Sequence, residues 1–83
     1  MLIEKEKHDQ VESMNLTTAQ EGKEYIIQAI EIDDGELKAF LFSLGCYTGE
    51  PITVVSRRRG NCVISVKDGR YSIDAGLARA ILV

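Results

Sequence analysis

Few residues of this chain are equipped for chemistry. It has one histidine, His8, and two cysteines, Cys46 and Cys62, among 83 residues. A structural zinc site takes four Cys or His ligands, and a nucleophile of the Ser–His or Cys–His kind needs its base close by. His8 lies in a polar stretch near the start, away from the patterned part of the chain. Both cysteines stand in apolar contexts, where a free thiol packs as a small hydrophobe. Asp33, Asp34 and Glu36 gather three carboxylates around one turn, and oxygen ligands suit hard cations. Acidic residues just ahead of a helix are also what capping and the helix dipole favour, and that reading is preferred here. There is no glycine-rich phosphate loop. The residues therefore point to no catalytic group, no metal site and no cofactor.

What remains is surface. Phe42 falls about 100° around a helix from Leu41, off the apolar stripe, by the 3.6-residue period. Tyr47 follows in the next turn. Two neighbouring aromatics outside the core read either as a contact patch, because aromatics are enriched at interfaces, or as a cover over the barrel rim, with Tyr47 capping it. Arg57, Arg58 and Arg59 make a local positive cluster that suits either an acidic partner or a solvated turn. The net charge is −3, which gives no electrostatic reason to expect nucleic acid. Basic and aromatic residues do not interleave across the strands as an RNA-binding barrel requires.

The elements that position these residues can be read from periodicity. Residues 1–14 carry Glu4, Lys5, Glu6, Lys7, Asp9 and Glu12 with little to bury, and read as a disordered tail. The folded domain is expected over residues 15–83. Thr18 to Glu21 fits a capping box closed by Gly22. Glu24 to Ile32 reads as strand one. Leu37, Phe40, Leu41 and Leu44 recur at i, i+3, i+4 and i+7, one face of a short helix. Asp33 and Asp34 are candidate N-caps, and Gly45 is the expected left-handed C-terminal residue.

Four further strands follow: Ile52 to Arg58, Cys62 to Val66, Arg70 to Asp74, and Ala80 to Val83. Asp68-Gly69 is a strong hairpin signal between the third and fourth strands. Asp74 caps a single helical turn before the last strand. Five short strands predict a small antiparallel barrel. The helix between strands one and two should plug one end with Leu37, Phe40, Leu41 and Leu44. No apolar run approaches the roughly 20 residues needed to cross a bilayer. The start does not read as a signal peptide, so the expectation is a cytosolic protein without membrane insertion.

From Leu16 to Val83 the chain resembles the ferrous-iron transport protein A (FeoA) family, small mostly-β proteins with an SH3-like barrel. The resemblance rests on Leu16 and Gly22 around the opening turn and on the Ile-rich strand. It continues through Leu41-x-x-Leu44-Gly45-x-x-x-Gly49, a β meander, and the terminal Ala78-x-x-Ile81-x-Val83. Three positions depart from the family pattern. Phe40 stands where Arg or Lys is usual, Thr48 where proline is common, and Arg57 to Asn61 where a Gly-Asp-Pro loop is frequent.

The resemblance implies a non-enzymatic cytosolic accessory of ferrous-iron transport. Its implied partner is the cytosolic part of the FeoB transporter, and Phe42, Tyr47, Arg57, Arg58 and Arg59 are the candidate contact residues. The alternative reading is a regulatory or scaffolding barrel that binds a peptide segment of an unrelated protein.

Overall fold

The computed structural model describes residues 14–83, so the tail expected before them lies outside the described residues, Met14 excepted. In chain order the elements are β1 (Glu24–Ile26), β2 (Ala29–Ile30), α1 (Gly35–Leu44), β3 (Pro51–Arg58), β4 (Asn61–Val66), β5 (Gly69–Asp74), α2 (Ala75–Ala80) and β6 (Ile81–Leu82). The strands form two antiparallel sheets. One has the order β1-β3-β4-β5, and the other pairs β2 with β6. There are thus six strands in two sheets where the sequence suggested five in one barrel, and α1 follows the second strand rather than the first.

The difference lies in the segment expected to be strand one. Its first part pairs with β3, and Ile27 extends that pairing with a bond from its N–H to the Glu50 carbonyl at 2.9 Å. One residue later the Gln28 N–H bonds the Leu82 carbonyl at 2.7 Å, and the chain now belongs to the other sheet. The side chains record the switch. Tyr25 and Ile27 pack inward in one phase, Ile30 and Ile32 in the opposite phase. A strand keeps one phase only while it stays on one sheet.

The inner faces carry the core. Ile52 and Val54 of β3, Cys62, Ile64 and Val66 of β4, and Ile73 of β5 alternate inward, as a half-buried antiparallel sheet requires. Leu16, Ile27, Leu41, Leu77 and Ile81 close over them. The two ends of the described chain also meet. Asn15 bridges Leu82, and the Val83 N–H bonds the Met14 carbonyl at 3.0 Å.

Helix α1 is capped as its sequence indicates. Asp34 accepts the N–H groups of Glu36 and Leu37 at 2.9 and 3.2 Å. Gly45 sits at φ +102°. The Gly45 N–H bonds the Phe42 carbonyl and the Cys46 N–H bonds the Leu41 carbonyl, the paired pattern of a Schellman closure. That closure turns the helix. Gly45 and Cys46 are buried with Leu41, while Lys38 and Leu44 beside that line are half-buried. Leu37 and Phe40 are 39% and 44% exposed, and the expected four-residue plug reduces to Leu41 with half-buried Leu44.

Two local expectations also change. The opening turn is capped by Asn15, whose side-chain oxygen accepts from the N–H and hydroxyl of Thr17, not by a Thr18–Glu21 box. In the β4–β5 hairpin the loop residues are Lys67 and Asp68, with Lys67 at φ +55°, and Gly69 opens β5 opposite Val66. Glycine is needed there for a different reason. A Cβ at Gly69 would stand 2.2 Å from the Tyr71 hydroxyl.

Candidate functional site

The two aromatics singled out from the sequence lie together. The rings of Phe42 and Tyr47 are 5.6 Å apart at 31°, within the range of favourable aromatic pairing. They are 37% and 47% exposed. The Schellman closure brings them together by reversing the chain between them. The Tyr47 N–H bonds the Gly45 carbonyl, and the Glu50 N–H bonds that of Tyr47, each at 3.0 Å. Gly49 completes the turn at φ +94°.

Lys67, from the β4–β5 loop, holds the outer side of Tyr47. Its ammonium lies 5.9 Å from the ring centroid and 3.5 Å from the Glu50 carboxylate. Each of these exposed contacts is worth only about 0.5–1 kcal/mol or less, so together they orient Tyr47 more than they stabilise the fold. On the other side of the rings is a groove of about 260 Å³, lined by Ala29, Ile30, Lys38 and Thr48 together with the aromatics.

The three arginines do not act as a unit. Asn61 pairs with Arg58, and Cys62 with Arg57, because the β3–β4 register shifts between Val54 and Ser56. This bulge at Val55 puts one extra residue into β3, and everything beyond it changes face. Arg57 therefore shares the inner face with Cys62. Its guanidinium donates to the Leu16 carbonyl at 2.9 Å and to the Ala19 carbonyl. Its own backbone N–H bonds the Glu21 carboxylate at 2.9 Å. Arg57 thus clamps the N-terminal turn to β3.

Arg58 and Arg59 remain exposed. Arg58 precedes, and Arg59 opens, a tight two-residue turn in which Arg59 and Gly60 have φ +30° and +85°, the positive-φ pair of a primed hairpin turn. A cleft of about 220 Å³ opens beside them, bounded by Thr17, Asn61, Cys62 and Ala75. Periodicity did not reveal this cleft.

The aromatic patch and the arginine turn sit at opposite ends of β4, since Tyr47 touches Lys67 and Arg58 faces Asn61. Six extended residues separate them, about 17–20 Å.

The cysteines are buried and free. Burial pushes the Cys46 thiol up to about 11, so it stays protonated at neutral pH and is a poor nucleophile or metal ligand. Among the described residues, no three His, Cys, Asp or Glu side chains converge to hold a metal ion. Asp34 is engaged in capping α1. Among the described residues, no helix is long and apolar enough to cross a membrane.

A four-stranded antiparallel sheet and a two-stranded one, with a short helix between β2 and β3, make up a small SH3-like domain. Solved structures with this fold include a manganese-dependent transcriptional repressor, with a TM-score of 0.77 at 20% identity over 83% of this chain and 39% of that one. A Stenotrophomonas maltophilia FeoA complexed with zinc, described as a prokaryotic SH3 domain protein, aligns with a TM-score of 0.73 at 14% identity over 84% and 89%. The iron uptake regulatory protein FeoA reaches 30% identity with a TM-score of 0.72, over 82% of this chain and 91% of that one. The FeoA domain family model matches residues 14–83. The chain belongs to the FeoA family. No curated protein sequence matches closely enough to add to these comparisons.

Proposed function

We propose that this protein is a small cytosolic accessory of ferrous-iron transport that works by protein–protein contact. Its partner is the cytosolic part of a FeoB-type transporter, and it catalyses no reaction of its own. Family membership supports the link to iron, as does the likeness to a FeoA named for iron uptake regulation. The Stenotrophomonas FeoA carries a proposed role as a ferrous iron transport activating factor, a role of the same kind.

The observation that carries the contact mechanism is the exposed Phe42–Tyr47 pair beside its groove. The pair is oriented by the Gly45 closure and by Lys67, so little ordering entropy is lost when a partner covers it. Rigid aromatics in such a setting are the usual anchors of an interface. Arg58 and Arg59 provide charged contacts at the far end of β4, where they would steer encounter with an acidic surface. Arg57 contributes by holding that end of the strand in place.

The second reading, a regulatory barrel for a peptide of an unrelated protein, has one observation in its favour. The same fold occurs within a transcriptional repressor. Titration of the isotope-labelled protein with the transporter's cytosolic domain separates the two. Amide shifts gathered around Phe42 to Thr48 support the transporter reading. A spectrum unchanged at large excess of that domain overturns it.

A further inference from the structure

The arginine cleft has a recognition chemistry of its own. Arg58 and Arg59 are exposed and, among the described residues, neither has a carboxylate within ion-pair distance. Beneath them the Arg57 guanidinium is occupied by two neutral carbonyls, and its Nε is buried without a hydrogen-bond partner. Among the described residues, Glu21 and Asp74 are the carboxylates bonded at this end, and each is held by a backbone N–H. Glu21 accepts the Arg57 backbone N–H at 2.9 Å, and Asp74 accepts the Leu77 N–H at 2.8 Å as the cap of α2. Those carboxylates keep their charge, but the exposed guanidiniums of Arg58 and Arg59 make the rim of the cleft locally positive on a protein whose net charge is −3.

The walls restrict what can enter. Cys62 and Ala75 give the cleft an apolar interior, while Thr17 and Asn61 are the neutral polar groups at its edge. At about 220 Å³ the cleft holds one or two side chains and no drug-sized ligand. A free phosphate would meet the arginines but leave the apolar wall uncovered. A polyanion would also meet the net negative charge of the rest of the protein.

We infer that this cleft binds an extended acidic segment of the protein partner, with a carboxylate on Arg58 and Arg59 and a neighbouring apolar side chain against Cys62 and Ala75. This rests on the proposal that the arginine turn faces a protein partner, and it names the kind of segment involved. Guanidinium is the group suited to planar, two-point contact with a carboxylate.

The test uses short synthetic peptides and no transporter, so its failure is distinct from failure of the transporter reading. A capped hexapeptide of alternating leucine and aspartate is titrated into the labelled protein. The same peptide with asparagine in place of aspartate, and inorganic phosphate, serve as comparisons. The aspartate peptide should shift the amides of Gly60, Asn61, Cys62 and Ala75 while leaving those of Phe42 and Tyr47 in place. The doubly substituted Arg58→Gln, Arg59→Gln protein, checked for a native amide spectrum, should bind it at least about tenfold more weakly, the loss expected for charge-assisted hydrogen bonds.

Equal binding of the asparagine peptide overturns the inference, because the carboxylate is then irrelevant. Saturation of the same amides by phosphate overturns it in favour of a simple anion site. Absence of shifts with the aspartate peptide at millimolar concentration also overturns it.

Discussion

The Arg57 guanidinium donates a 2.9 Å hydrogen bond to the carbonyl of Leu16, joining the end of β3 to a turn 41 residues earlier in the chain. The same group reaches the Ala19 carbonyl, and Glu21 returns the connection by accepting the Arg57 backbone N–H. Leu16 and Ala19 are themselves buried. The clamp therefore satisfies two carbonyls of a turn whose backbone N–H groups at Leu16 and Gly22 bond the carbonyls of Ile81 and Val54.

Arg57→Met keeps much of the aliphatic stem and removes the donors. It should lower stability by about 1–3 kcal/mol, the range for leaving buried acceptors unpaired. Urea unfolding measures it. A midpoint equal to wild type would mean that water serves those carbonyls equally well.

The roll of α1 predicts a contrast along one helix. Leu41→Ala should cost about 2–5 kcal/mol, as for other buried leucines. Leu37→Ala and Phe40→Ala should stay within about 0.5 kcal/mol of wild type, as exposed positions do. Thermal melts of the three variants decide the matter. Comparable losses at all three would restore the broader apolar plug.

Gly45 is constrained in two ways. Its φ of +102° disfavours any side chain, and a Cβ there would stand 2.7 Å from Cγ of Lys67. Gly45→Val should be severe, since β-branching adds to the strain of a left-handed residue. Gly45→Asn should be milder, because asparagine tolerates that conformation better. Reversal of that order in thermal melts would show that space, not backbone conformation, controls the position.

Phe42→Asp and Tyr47→Asp should leave the fold intact and weaken binding to the transporter's cytosolic domain. Each puts a carboxylate into the exposed aromatic patch. Calorimetry on variants with native amide spectra provides the test. Wild-type affinity in both would remove the patch from the interface.

Cys46 makes stability depend on alkaline pH. Burial raises its thiol from 9.0 to about 11 in the folded protein. The unfolded chain then loses its proton first as pH rises, so the folded state is favoured fully below pH 9. That advantage is lost progressively between about pH 9 and 11, up to about 3 kcal/mol. Unfolding curves for wild type and Cys46→Ala should converge or cross over this window. A constant difference between them would mean that the thiol ionises equally in both states.

Much of this architecture was legible because it is local. Asp34, Gly45 and Asp74 do their work within one turn of themselves, and they cap the helices as their residue types indicate. The meander of β3, β4 and β5 was readable because its apolar residues alternate and its turns are short. The parts that were not legible depend on distant partners. Glu24 to Ile32 looks continuous in composition, and only Leu82 shows where it changes sheet. Leu37 and Phe40 repeat with the right period, but the orientation of α1 is decided by Cys46 entering the core.

The candidate site divides in the same way. Phe42 and Tyr47 could be found because they are large, close in sequence and off the apolar stripe. Arg57 could not be told from Arg58 and Arg59 by type. Its inward direction depends on Val55, a residue with no unusual chemistry, occupying the bulge.

The meeting of Met14 with Val83 and of Asn15 with Leu82 bears on how the chain reaches this structure. The central hairpins have two-residue turns and can form from nearby residues alone. The two-stranded sheet cannot, because β6 lies at the far end of the sequence from β2. Closing so long a loop is entropically costly and is repaid only once both ends dock. We expect the meander to assemble first, and β6 to pair with β2 and with Asn15 only afterwards, because the loop it closes is long.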